Sequence, residues 1–260
     1  NQYSADVVRY WAASGRLGTD ITFSEETLLR GKKLVNKIWN VSKFIEMHLQ
    51  DFKDQEFDEF EYIDKWILGN FMKMEKEYIN YLDHYEIGLG LNILEKFFWN
   101  FCDNYIEIVK HRLYRPEEFG NIARYSGQKT VYMILYKLLQ DFSIYFPFIT
   151  EEIFQELYHN NKSIHTTEIK PLNYNFNDEI KYGNQMIEII SQARGTKTNN
   201  NVSLKTPINV LSIGVNEELR NAINKSIKDF KATLFIENLE LETIDKEFKI
   251  NNIELNLDAE

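Results

Sequence analysis

Apolar side chains recur at spacings of three and four residues along most of this chain, and that period admits little besides amphipathic helices. One run is Ile67, Phe71, Met74, Tyr78 and Leu82. A second is Ile87, Leu91, Leu94, Phe98, Phe101, Tyr105 and Ile108. A third is Val131, Leu135, Leu138 and Phe142. They predict helices starting near Asp64, over about 86–112 and over about 117–143. Residues 3–14 suit a short helix ended by Gly15 and Gly18. Ser24, followed by Glu25 and Glu26, is a good N-cap with acids well placed for the helix dipole, and the helix it opens should reach about residue 50. Pro147 breaks the chain. Thr150 then reads as the cap of a short helix through Ile153 and Leu157, and another helix covers 177–194. Only 11 glycines and 4 prolines interrupt 260 residues, so long helices are favoured over a turn-rich β fold. Short connections imply antiparallel neighbours, as in a bundle.

The texture changes near residue 196, where a polar stretch runs to Lys205. Pro207–Ile213 then reads as a strand, 216–230 as a helix, Thr233–Ile236 as a second strand, and Leu239–Ile244 and Ile253–Leu257 as short alternating runs. The expected fold is therefore mainly α: an antiparallel helical bundle with a small C-terminal α/β domain. The expected division is a bundle over 1–195, a linker over 196–205 and the α/β domain over 206–260.

Hydrophobic residues make up 43% of the chain and aromatics 14%, enough for a sizeable core. Cys102 is the single cysteine, so no internal disulfide forms and a reducing, cytoplasmic compartment is the natural reading. No apolar run approaches the roughly 18–20 residues of a membrane span. The opening Asn1-Gln2-Tyr3-Ser4 has no starting Met and reads like the interior of a longer protein. The net charge of −10 disfavours nucleic acid as a partner of the whole surface, but the charge is uneven. Residues 1–50 carry Arg9, Arg16, Arg30, Lys32, Lys33, Lys37 and Lys43 against five acids, whereas 51–64 holds seven acids against Lys53 alone and reads as an exposed acidic connection.

No phosphate-cradling glycine loop and no Cys/His cluster of metal spacing occurs. The histidines (His48, His84, His111, His159 and His165) are scattered, so no catalytic residue and no metal site is expected here. The helix from Ser24 is more informative. At 100° per residue, Leu34, Val35, Ile38, Val41, Ile45 and Leu49 share an apolar arc. Arg30, Lys33, Lys37, Asn40, Phe44 and His48 fall on one flank beside it, with Lys43 on an adjoining strip. Cations attract phosphates and an aromatic face stacks an unpaired base, which together suit a single-stranded RNA loop. The competing reading is an ordinary solvated flank with Phe44 turned into the core.

Six segments in order resemble class I aminoacyl-tRNA synthetases. Gln2-Tyr-Ser-Ala-Asp-Val-Val-Arg-Tyr-Trp-Ala-Ala-Ser14 is similar to the helix that follows the Lys-Met-Ser-Lys-Ser loop of that family. Leu17-Gly-Thr-Asp-Ile-Thr-Phe23 and Asn36-Lys-Ile-Trp-Asn-Val-Ser-Lys-Phe44 resemble the next two stations. Phe98-Trp-Asn-Phe-Cys-Asp-Asn-Tyr-Ile-Glu-Ile-Val-Lys110, Pro147-Phe-Ile-Thr-Glu-Glu-Ile153 and Ser163-Ile-His165 resemble the valyl enzymes in particular. Phe154, Ile169, Tyr145 and Phe146 depart from the usual valyl residues at packing positions. The chain shows no His-x-Gly-His, and Val202-Ser-Leu-Lys205 only echoes the second signature at the wrong place.

The resemblance implies the anticodon-binding part of such an enzyme, with residues 1–20 as the tail of a junction to a preceding catalytic domain. It implies tRNA(Val) as partner, gripped through Arg30, Lys33, Lys37, Asn40, Lys43 and Phe44, with Phe44 against an anticodon base. Valine and ATP with Mg would serve only the catalytic domain. The chain itself would need no cofactor, would not touch a membrane and would be monomeric. The matching module of an isoleucyl or leucyl enzyme, and a helical protein-interaction scaffold, are the alternatives.

Overall fold

The computed structural model describes residues 2–16, 18–158, 162–245 and 248–257. Leu17 and His159, both singled out in the sequence, lie outside the described residues. The helices come in the order α1 (Ala5–Ala13), α2 (Glu25–His48), α3 (Tyr62–Asp83), α4 (Ile87–Asn100), α5 (Glu107–Tyr114), α6 (Pro116–Phe119), α7 (Asn121–Phe142), α8 (Pro147–Tyr158) and α9 (Asn177–Asn199). The strand β1 (Ile208–Val215) follows, then α10 (Glu217–Lys225), α11 (Ile227–Leu234), β2 (Ile236–Thr243) and β3 (Phe248–Leu255). The expected combination of helical bundle and small α/β part is what the chain forms.

Several boundaries differ from the sequence expectation, each for a local reason. The helix predicted over 86–112 is α4 and α5 joined by a π segment, Phe101–Ile106; a wider turn leaves the apolar spacing nearly unchanged, so periodicity does not reveal it. The helix predicted from 117 is split at Gly120, whose φ of 94° ends α6. Thr150 is not a cap. The helix already starts at Pro147, a residue suited to a first helical position, and the buried Thr150 hydroxyl donates to the Phe146 carbonyl at 2.8 Å. The polar stretch from Thr196 is helical as far as Asn199. Thr233 and Leu234 end α11 instead of opening a strand, and Phe235 in the left-handed region (φ 56°, ψ 50°) separates α11 from β2.

Contacts divide the chain into two compact units. The first comprises Asn1–Gln55, Asn70–Cys102 and Gln128–Tyr174. Within it, α1 packs on α2, α4 and α8, and α2 also packs on α8. Leu34, Ile38, Ile45, Phe71, Leu94, Phe98, Phe142, Phe146 and Phe154 are each no more than 1% exposed and form its core. Asp6 on α1 reaches the start of α8, where its carboxylate accepts the backbone N–H groups of Phe148 (3.2 Å) and Ile149 (2.9 Å). These are donors that a helix cannot satisfy internally. Arg9 Nη2 donates to the Ile144 carbonyl at 2.7 Å, so one face of α1 fixes the approach to α8. Deeper in the unit, Lys137 pairs with Glu75 (2.5 Å) next to Asp141, all three buried.

The second unit comprises Glu56–Gly69, Asp103–Gly127 and Asn175–Glu260. Its sheet has the order β2-β1-β3, with β1 parallel to β2 from Ile208↔Ile236 to Val215↔Thr243, and antiparallel to β3 from Ile208↔Leu255 to Val215↔Phe248. The parallel pair requires the α10–α11 crossover, and α11 packs on α5 and α9. Beneath α11 lies a buried ion cluster. Arg112 grips Asp64 through two bonds (Nη1–Oδ2 2.9 Å, Nη2–Oδ1 2.8 Å) and pairs through Nε with Asp229 at 2.9 Å. Tyr105 donates to Asp64 at 2.7 Å, and Ser126 donates to the same carboxylate. Asp64 had read as the end of an exposed acidic connection. It is instead wholly buried, because its helical phase within α3 overrides the acidic run that precedes it.

Candidate nucleic-acid interface

All six candidate residues lie on α2, whose sequence explains its seating. Ser24 caps it, accepting from the Thr27 amide at 3.2 Å. Leu34, Ile38, Val41 and Ile45 are buried as the wheel requires, with Val35 and Leu49 half-buried. Gly31 permits close approach of α1: a Cβ at that position would stand 2.7 Å from Tyr10 Cδ1. Tyr10 in turn donates its hydroxyl to Glu95 of α4 at 2.8 Å. Burial, reinforced by Glu95 and opposed by Arg30, holds that phenol well above its ordinary pKa, so it remains a donor.

Glu95 organises the upper end of the flank. Arg30 Nη2 stands 3.5 Å from its Oε2, and Trp99, four residues further along α4, directs Nε1 at its Oε1 from 3.4 Å. Arg30 is exposed but already faces a carboxylate. Lys37 lies over the Trp99 ring with its ammonium 5.5 Å from the centroid, a cation–π attraction. Lys33 and Asn40 are exposed. Phe44 is half-buried, its ring edge-on to His48 at 4.7 Å. Lys43 is the most neutralised cation. Its ammonium is bracketed by Glu156 of α8 and by Glu46 (3.0 Å), and lies 4.7 Å from the Trp39 ring centroid. The bond to Glu156 is the chief reason its pKa is raised.

One member of the flank is displaced. His48 falls on the cationic strip of the wheel, yet only 6% of it is exposed. Gln128 of α7 closes on the end of α2: its Nε2 donates to the His48 carbonyl (2.7 Å) and to Asp51 Oδ1 (2.9 Å). The strip therefore ends at Phe44. The structure brings Lys33, Lys37, Asn40 and Phe44 along one side of α2, while Arg30 and Lys43 border it with carboxylate partners of their own. The residues that sequence reading missed are Trp99 and Glu95, and their four-residue spacing on a helix was the available signal. Chemically, the strip offers two ammonium groups, an amide with donor and acceptor, and part of an aromatic face.

Residues 64–212 match the family described as the anticodon-binding domain of tRNA ligase. Among curated proteins, the chain is 36% identical over 270 residues to a valine–tRNA ligase of Rickettsia canadensis (strain McKiel), covering 97% of this chain and 32% of that protein. It is 36% identical over 272 residues to the valine–tRNA ligase of Rickettsia conorii, again covering 97% of this chain and 32% of the relative. The same ligase of Ehrlichia canis (strain Jake) is 38% identical over 219 residues, 82% of this chain and 27% of the relative. The chain thus spans about a third of the length of these Rickettsia relatives.

Proposed function

Because the chain belongs to the family of anticodon-binding domains of tRNA ligases, we propose that it grips tRNA(Val) by the anticodon loop, as part of a valine–tRNA ligase. The observation that carries this is the outward flank of α2. Lys33 and Lys37 supply two ammonium groups on one side of the helix, Asn40 offers an amide to a base edge, and Phe44 offers a ring for stacking. The family match begins at residue 64, after α2. The alignments covering 97% of the chain, however, leave too few residues outside to omit a helix of 24.

Arg30 and Lys43 belong to the same surface as bordering cations, each able to exchange its carboxylate for a phosphate. In the intact enzyme, valine, ATP and Mg would be handled by a catalytic domain outside this chain. The piece described here needs no cofactor for its own task. It acts as a cytoplasmic monomer; among the described residues no helix is long and apolar enough to cross a membrane.

A helical protein-interaction scaffold is the second reading, and the net charge of −10 favours it. Binding of tRNA(Val) by the purified chain across a range of salt concentrations separates the two. Counterion release makes affinity fall steeply with salt when phosphates are contacted, and replacing Lys33 and Lys37 by Gln should flatten that slope by about 1.5 units. A scaffold would show no salt-dependent tRNA binding for those substitutions to alter. Valine-dependent pyrophosphate exchange by this chain alone would contradict the assignment of catalysis to another domain.

A further inference from the structure

Cations converge a second time within the second unit, in a groove of about 420 Å³ between α6 and α11. Arg115, Lys228 and Lys231 line it together with Phe119 and Phe235. The two lysines differ from Lys43 in what holds them. Lys228 Nζ donates to the Glu118 carbonyl at 3.0 Å and Lys231 Nζ to the Glu237 carbonyl at 2.6 Å. Backbone carbonyls fix an ammonium group without cancelling its charge. Arg115 does have a carboxylate partner, Glu118 at 2.9 Å, but that pair is exposed and exchangeable. In a chain of net charge −10, three cations against Glu118 in the same lining, with Glu61 within reach of Lys228, leave this concave surface with an excess of positive groups.

The aromatic residues supply the second half of the pattern. The Arg115 guanidinium lies 5.8 Å from the Phe119 ring centroid. Phe235 sits at φ 56°, a region that bulky side chains rarely enter, and 37% of it is exposed. Its ring is backed by His111 (6.0 Å, nearly perpendicular) and by the Lys197 ammonium at 5.6 Å. The left-handed C-cap of α11, with the Phe235 amide bonded back to the Lys231 and Ala232 carbonyls, places this aromatic ring at the rim of the basic groove. The surroundings are cationic enough to be felt by His111, which burial first, and then Arg115 and Lys110, push down to about 4.

We propose that this groove is a second RNA site, in which Lys228, Lys231 and Arg115 hold consecutive phosphates of the phosphodiester backbone and the Phe235 ring stacks an unpaired base. Basic side chains interleaved with exposed aromatics are the pattern by which single-stranded RNA is held without sequence reading. An acidic polypeptide would use the lysines but gives the exposed Phe235 ring nothing to stack against. The proposal does not depend on the reading of α2.

The test uses the full chain, with fluorescence anisotropy of a labelled tRNA(Val) transcript and of a short oligouridylate, each followed across a salt series. K228Q/K231Q should flatten the slope of log K against log salt by about 1.5 units on either RNA, and K228R/K231R should restore it. F235G, which relieves the backbone conformation, should weaken binding at least about fivefold at unchanged slope and without lowering the thermal midpoint. Parent-like affinity and slope in K228Q/K231Q and F235G, beside weakened binding in K33Q/K37Q, would overturn the groove and leave the α2 reading standing. The reverse pattern would keep the groove and remove α2. Poly-L-glutamate binding that K228Q/K231Q abolishes, with RNA binding untouched, would assign the groove to an acidic polypeptide and overturn the proposal.

Discussion

At the scale of single residues, Phe44 divides the readings most sharply. It is neither fully exposed nor fully buried, and its edge rests on His48. If the ring stacks an anticodon base, Phe44→Ala should cost about 1–3 kcal/mol of tRNA binding with the salt slope unchanged, since no phosphate contact is lost. If the ring serves the core, the same change should instead lower stability by roughly 3–5 kcal/mol and leave folded protein binding normally. Parallel anisotropy and urea titrations decide between them. A second residue-scale prediction concerns Asp141, 1% exposed, with no hydrogen bond to its carboxyl group among the described residues. Burial, with Glu75 adding and Lys137 opposing, pushes its pKa up to about 8 from an ordinary 3.8. The folded carboxyl therefore stays protonated at neutral pH. Its contribution to stability is complete below about pH 4 and is lost as pH rises through about 8, each unit weighing at most about 1.4 kcal/mol. Asp141→Asn removes that dependence, so its stability relative to the parent should rise from pH 5 to pH 8 and then level off. A pH-independent difference in urea midpoints would contradict this.

At the scale of elements, the helices were legible because their apolar spacing is a property of one face and survives any tertiary detail. Their ends were less so. Thr150 looked like the cap of α8, yet the cap arrives from Asp6, more than a hundred residues earlier in the chain, and no local pattern encodes it. Asp6→Ala should remove the acceptor for two orphan amides and cost about 0.5–2 kcal/mol, read from the urea midpoint of the whole chain. Asp6→Asn, which keeps an acceptor oxygen, should recover part of that loss; equal damage from both would place the role of Asp6 elsewhere. The flank of α2 was legible by the same geometry that gave its core face, except at His48, which is buried at the helix end where Gln128 of α7 bonds its carbonyl. The groove on α11 was not legible at all. It joins residues from 115 to 236 through a backbone turn at Phe235 that the sequence, reading there as a strand, does not announce.

At the scale of the whole molecule, the acidic total conceals cations gathered on the flank of α2 and in the groove at α11, and composition alone argues against a nucleic-acid partner. The polar stretch at 196–205 invited a cut before an autonomous C-terminal domain. Within the second unit, however, Asp229 on α11 completes the ion cluster of Arg112, and Lys197 spends its bonds on the Leu204 (3.0 Å) and Leu234 (2.7 Å) carbonyls. A chain ending at Lys205 would open the buried Arg112 cluster and expose the face of α5 that α11 covers, so it should unfold with a lower midpoint and a broadened transition. A sharp, parent-like transition would instead show that 206–260 is separable. Recognition of the valine anticodon through α2 is tested most directly by anisotropy of the full chain against two labelled anticodon stem-loops, those of tRNA(Val) and tRNA(Ile), in the parent and in Phe44→Ala. The expected result is tighter binding of the tRNA(Val) stem-loop by the parent, with the preference reduced in Phe44→Ala. Equal binding of the two stem-loops by the parent, or a preference untouched by the substitution, would contradict it.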